Sequence, residues 1–430
     1  EIRQYTGTMT ASGTLTMADG TKYSSYGAAE MTFTKALVIN GNVGLAVNST
    51  GGLLLNNAVS LGSGMRIVTN LNTVTIAGAV SSGGLAKTGA GTMVLTGTNT
   101  YALGTLVSAG VLEGTTTSLQ GNITNNSAVA FNQAGNGTYA GVISGTGALT
   151  NKGAGTVTLS GTSTYSGGTT IAAGTLLVSG SIGSSAVTVS SGATLAGAGA
   201  VGSIAALAGT VSPGNSAGAA GTLTVSGAAA LGGGTYTCDI TGTGGTDCDK
   251  IAAGGAVAAA SALTINLGTT APSGFSESTS YTWTIMSGSS ASAANMSIGT
   301  KWTTSGTLAV SASGNTIVVT HTPGAPGKPV VAASDGTSTA QVALSWADVA
   351  GETGYAIRRN TVDTYASATV LDTIAAGSTS YNDTTADPGQ LYYYWVTATN
   401  AGGSTASDSN DGYRRLAAPA NVAATDGSST

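Results

Sequence analysis

Catalysis needs titratable side chains held together, and this sequence offers few. Its one histidine is His321. Pro323, Pro326 and Pro329 follow closely. That places His321 in a linker and speaks against building a Ser-His-Asp arrangement around it. Carboxylates gather once, as Asp239, Asp247 and Asp249 beside Lys250. Such a group could hold a weak calcium ion or, as a pair, cleave a glycosidic bond. The plainer reading is a solvated loop. We assign no catalytic residue and no cofactor, and keep the three aspartates as weak calcium candidates. The same stretch, CDITGTGGTDC, is bounded by Cys238 and Cys248. In an oxidising compartment these would close a local disulfide, worth roughly 2–3 kcal/mol. The alternative is two free thiols.

The elements that would position these groups are unusual in composition. Of 430 residues 67 are glycine, and only 7% are charged. Ordinary domains have about half that share of glycine and about 25% charged residues. Disorder by charge is therefore out, and so is collagen, since glycine has no three-residue period. Residues 1–320 carry 8 acidic and 8 basic side chains, so the net charge of −5 lies beyond them. No basic footprint for nucleic acid or anionic membrane exists. No run of 18 apolar residues marks a transmembrane helix. The chain begins at Glu1 and not at a methionine, which points to a processed or trimmed product.

Internal repeats decide the fold. GAGTMVLTGTNTY at 89–101 returns as GAGTVTLSGTSTY at 153–165, an offset of 64 residues (153 − 89). GGLAKTGAG at 83–91 returns as GALTNKGAG at 147–155. Within each copy apolar and polar residues alternate, as in Thr156-Val157-Thr158-Leu159. Alternation bounded by glycine means half-buried strands with sharp corners. Units this alike cannot bury a face alone, so they stack. Coils of roughly 20–25 residues, each a layer ~4.8 Å thick, make about 13–16 coils over 1–320. The ends differ from the middle. Residues 1–35 hold Tyr5, Tyr23, Tyr26, Phe33 and six charges, and 269–320 hold Phe275, Tyr281, Trp283 and Trp302. We read 1–35 as an N-terminal cap or junction and 269–320 as a C-terminal cap. Residues 153–238 carry no charge at all.

The repeats resemble the autotransporter-associated β-strand repeat of bacterial secreted passengers. The second copy carries the pattern through Gly147, Leu149, Lys152, Gly153, Gly155-Thr156, Leu159, Gly161, Thr164-Tyr165, Gly167-Gly168-Thr169 and Gly174-Thr175-Leu176. The first carries it through Lys87, Gly91-Thr92, Leu95, Gly97, Asn99-Thr100-Tyr101, Gly104-Thr105 and Gly110, departing at Ala102-Leu103. The run Val211-Ser212-Pro213-Gly214-Asn215-Ser216 is similar to a turn of such passengers. The resemblance implies an all-β fold, a right-handed parallel β-helix (β-solenoid) over 1–320, and export to the bacterial cell surface or medium. After a linker at 321–329, residues 330–416 resemble a fibronectin type III domain. There Trp346 is the buried tryptophan, Tyr392 the corner tyrosine, and Tyr392, Tyr394, Val396 and Ala398 alternate along one strand. Val331–Gly336 recurs as Val422–Gly427, so a second, truncated domain of this kind starts near 417.

Together these readings describe an extracellular, non-enzymatic structural or adhesive protein, with self-association head to tail into a fibre. Alternatives are a carbohydrate-binding or polysaccharide-acting passenger and an inert stalk carrying a further domain. Glycans or a neighbouring cell surface are the other candidate partners. A glycan site would call for an exposed aromatic strip, for which the middle of the shaft offers Tyr101, Phe131, Tyr139, Tyr165 and Tyr236.

Overall fold

Alternating apolar and small polar residues, punctuated by glycine, produce short strands throughout. The computed structural model describes residues 2–4, 8–9, 13–25, 30–47, 51–216 and 218–419. Among them the only helical element is a single 3₁₀ turn, Tyr365–Ser367. No helix there is long and apolar enough to cross a membrane. The chain forms two compact units. One takes in 1–273, 283–302 and 309–319, the other 274–282, 303–308 and the residues from 320 onward. Two segments from before the expected linker thus belong with the C-terminal unit.

The first unit is a parallel β-solenoid with three-sided coils. One side is a single sheet of 13 strands from Thr8–Met9 to Val257–Ala258, one strand per coil. A second side begins as an eight-stranded sheet, from Ile2–Gln4 to Ile143–Ser144. It continues in another sheet starting at Thr162–Ser163, where Thr164 N–H donates to Ile143 O at 2.8 Å. The third side starts with four strands from Leu15–Met17 to Val80–Ser81. It resumes with eight strands from Gly137–Tyr139 to Met296–Ile298. Between them isolated backbone bonds, such as Thr100 N–H to Val80 O (2.8 Å), are joined by side chains. Val80 N–H donates to Asn99 Oδ1 (2.7 Å), and Asn99 Nδ2 donates to Ser118 O (2.6 Å).

Register turns each side into columns. On the third side Val157, Leu176, Leu195, Val211, Tyr236 and Ile265 stack in successive coils, all fully buried. Thr156, Thr175, Thr194, Thr210, Thr235 and Thr264 form the neighbouring column on the outer face. Each buried aliphatic side chain contributes about 1.5–3 kcal/mol, but only once the next coil covers it. Strands Ile2–Gln4, Thr8–Met9 and Leu15–Met17 pair in parallel with the coil that follows. The described part of 1–35 therefore belongs to the solenoid's own coils. Tyr5 and Tyr26 lie outside the described residues.

The second unit holds an antiparallel sandwich. One sheet has Ala332–Ala333, Val342–Ser345 and Ser380–Asp383. The other has Thr369–Ala375, Gly354–Asn360, Tyr392–Asn400 and Gly403–Ala406, with Asn410–Gly412 also paired to Tyr392–Asn400. Val342, Leu344, Trp346, Tyr355, Ile357, Tyr394, Val396 and Ala398 fill its core. Trp346 packs on Tyr355 with ring centroids 5.5 Å apart. Tyr392 Oη donates to Asp387 Oδ2 at 3.0 Å and closes the corner before its strand. Most of the second-domain start at 417–430, from 420 on, lies outside the described residues.

Candidate functional site

His321 is not in a linker. Strand Thr316–Thr322 includes it, and the ring is fully buried. Nδ1 lies 2.9 Å from Thr279 O, and Nε2 lies 2.9 Å from Thr304 Oγ1. Phe275 meets the ring edge-on at 4.7 Å. Thr304 Oγ1 donates to Glu277 Oε2 at 2.6 Å, and Ser305 adds its N–H (2.9 Å) and hydroxyl (2.8 Å) to the same oxygen. Burial works against the Glu277 charge, yet these donors together hold its carboxyl below the usual range. Hydroxyl, imidazole and carboxylate are thus joined, but in the wrong order for a nucleophile. In a triad the carboxylate orients the imidazole, which takes the hydroxyl proton. Here a backbone carbonyl lies against the imidazole and the carboxylate accepts the hydroxyl's hydrogen bond. The geometry is therefore not that of a Ser-His-Asp triad. Glu277 and Thr304 carried no sequence signal, because only the fold brings 277, 304 and 321 together.

The aspartates do not converge either. Asp249 is fully buried, contrary to a solvated loop. Gly221 N–H donates to its Oδ1 (2.8 Å) and Asp239 N–H to its Oδ2 (3.1 Å). Burial pushes this carboxyl up to about 7, against the pull of the two donors. Asp239 Oδ2 instead accepts from Gly218 N–H (2.6 Å), and Asp247 Oδ2 from Gly244 N–H (2.8 Å). Each carboxylate ties down a different piece of backbone. Among the described residues no three of His, Cys, Asp and Glu are grouped to hold a metal ion. Cys238 and Cys248 are both buried and both free thiols.

Tyr101, Phe131, Tyr139, Tyr165 and Tyr236 all point into the solenoid and are at most 3% exposed. They cannot form an outer strip for sugar rings. The buried polar groups serve the coil corners instead. Lys87 is fully buried, and its ammonium donates to Thr88 O (3.0 Å), Gly89 O (2.7 Å) and Ala109 O (2.9 Å). Three donors meet three acceptors, though burial lowers this amine to about 8. The second copy also has a lysine near this position, Lys152. The structure uses Asn151, 64 residues on, whose Nδ2 donates to Ala173 O at 2.8 Å. Strand alternation explains the difference, since Asn151 faces in and Lys152 faces out to pair with Glu113 at 2.5 Å.

A family model described as passenger-associated-transport-repeat matches residues 85–113 and 149–178, the two copies. No curated protein matches the chain. Among solved structures it is similar to an Fn3-like protein from Clostridium thermocellum, at 30% identity over 22% of this chain and 99% of that one, with a TM-score of 0.19. It is also similar to the FN1-FN3 domains of chicken CNTN1, at 21% identity over 25% of this chain and 40% of that one, TM-score 0.20. A β-1,2-glucanase from Parabacteroides distasonis matches at 18% identity over 25% of this chain and 17% of that one, TM-score 0.19. At such scores these likenesses carry no functional argument. The repeat match, on a parallel solenoid, suggests a passenger-type surface protein.

Proposed function

We propose that the chain is an extracellular structural or adhesive component of a bacterial surface. Its solenoid is the shaft, its fibronectin type III-like sandwich a spacer, and it associates with its own kind end to end. The carrying observation is the 13-stranded parallel side running through both passenger repeats. Such a stack ends in strand edges that favour further pairing, and head-to-tail contacts of one surface with another generate filaments. The wall between the ends supports the same reading. It is uncharged over 153–238, and its aromatic residues are turned inward. Electron microscopy of the protein released from its native cells tests the proposal. Filaments with an axial repeat of one solenoid are expected, and deleting 1–35 should abolish them while the β-rich circular dichroism remains. Isolated particles in the native sample, or filaments that persist without 1–35, would overturn the end-to-end assembly.

A further inference from the structure

We propose that Cys238 and Cys248 are a disulfide-forming pair, oxidised in the exported protein by a dithiol oxidoreductase acting in its disulfide form, and that the bond locks a backbone excursion over the C-terminal coils. The excursion is 239–247, between strands Thr235–Cys238 and Lys250–Ala253. It folds back on itself. Asp249 N–H donates to Asp239 O (2.8 Å), Thr241 N–H donates to Asp247 O (2.8 Å), and Ile240 bridges Cys248. This closure sets Cys248 opposite Ile240, so that Cys238, two residues earlier, lies on the facing run of chain. Their acceptors are distant carbonyls, Asp249 O at 3.5 Å and Thr284 O at 3.4 Å.

The excursion also seats the next strand. Trp283 Nε1 donates to Gly242 O (2.9 Å), and Thr284 N–H donates to Gly245 O (3.0 Å). Trp283 itself is fully buried and meets Trp302 edge-on at 5.9 Å. A covalent tie across the mouth of the excursion therefore holds the lid over this tryptophan pair.

The two sulfurs differ, which orders the exchange. The neighbouring Cys238 thiol lowers Cys248, while burial pushes Cys238 up. The thiolate is the attacking species. Cys248 attacks one sulfur of the donor disulfide, forming a mixed disulfide and releasing the donor's other thiolate. Cys238 then attacks the Cys248 sulfur and displaces the donor. Two S–H bonds and the donor S–S bond break. One S–S bond forms in this chain, and the two protons and two electrons leave on the donor dithiol. Because Cys238 is wholly buried, the second attack takes place before the excursion closes or during its local opening.

The test uses the full chain as secreted by its native cells, denatured and alkylated without reductant. Neither cysteine should be labelled, and the intact mass should lie two hydrogens below that of the reduced chain. Labelling of both cysteines would overturn the proposal. Reduction should speed amide exchange across 239–247 by roughly tenfold or more in the native chain. It should change nothing in the double variant Cys238→Ser/Cys248→Ser. Equal protection before and after reduction would overturn the locking role. A donor adduct should accumulate on Cys238→Ser and not on Cys248→Ser, and the reverse pattern would overturn the order of attack.

Discussion

The two copies of the repeat are alike in sequence but lie on different sides of the solenoid. In the first, Gly84–Thr88 belongs to the side that begins at Ile2–Gln4, and Thr92–Leu95 to the 13-stranded side. In the second, Ala148–Asn151 already lies on the 13-stranded side and Thr156–Leu159 on the third. Three coils along one side lead from Leu85 through Thr105 and Ile123 to Ile143. Six further residues (149 − 143) turn the corner to Leu149. The 64-residue repeat is therefore three coils plus one side. Equivalent residues nevertheless keep their partners. Asn99 accepts from Val80 N–H, and Ser163, 64 residues on, accepts from Ile143 N–H at 3.0 Å. Tyr101 Oη meets Thr105 Oγ1 at 3.1 Å, and Tyr165 Oη meets Thr169 Oγ1 at 2.7 Å. The three sides ask the same of the sequence, namely alternate apolar residues inward, glycine at the corner, and a buried donor for the corner carbonyls.

The strongest challenge to this equivalence is at the corner glycines. Gly110 and Gly174 have φ of 68° and 59°. A Cβ on either would sit 2.4 to 2.5 Å from two carbonyl oxygens of the coil before it. Gly110→Ala and Gly174→Ala should each destabilise the solenoid by roughly 4 kcal/mol, combining left-handed backbone strain with a clash against main chain. Denaturant titration checks both. A large cost at one site alone would mean that the sides are not interchangeable.

The next effect separates the copies by charge. Lys87 has a folded value near 8 against 10.5 for an unburied amine. The neutral form is favoured on folding, so this contribution is full above about 10.5 and is lost as pH falls through about 8. The wild type should gain about 3 kcal/mol between pH 7 and 10.5 relative to Lys87→Asn. That variant copies Asn151, keeps a donor for Ala109 O and carries no charge. Parallel stability curves for the two proteins would refute the burial of the ammonium.

The smallest effect concerns the tyrosines. Tyr101→Phe strips a partner from both Thr105 and Gln120 N–H and should cost about 1–2 kcal/mol. Tyr165→Phe should cost less, since Thr169 keeps Ser185 at 2.6 Å. Equal losses, measured by thermal unfolding, would show that the second hydroxyl contact contributes nothing.

Much of this was legible in advance. Alternation in Thr156–Leu159 and Tyr392–Asn400 identified strands and their buried faces, because period two follows from the pleat itself. Trp346 is buried and Tyr392 bonds to Asp387, in line with the roles that the resemblance to a fibronectin type III domain implies. The candidate chemistry was less legible. His321 looked like a linker residue because the prolines that follow it were weighed more than the strand that precedes them. Asp249 looked solvated because its burial depends on an excursion closing over it, which no local pattern records. Lys152 belongs to the repeat pattern but lies one residue out of phase with the inward-facing Asn151, so it faces water.

By itself the sequence determined the strand period, the stacking of near-identical coils and the residue types each corner needs, since these follow from backbone geometry within a few residues. Only the tertiary structure decided which side each copy occupies, which donor serves each corner, and that Glu277, Thr304 and His321, or Cys238 and Cys248, come into contact. Those outcomes depend on the lengths of whole coils and excursions. Small differences in length accumulate from coil to coil, and the packing of each coil on the one before, not local preference, sets where they end.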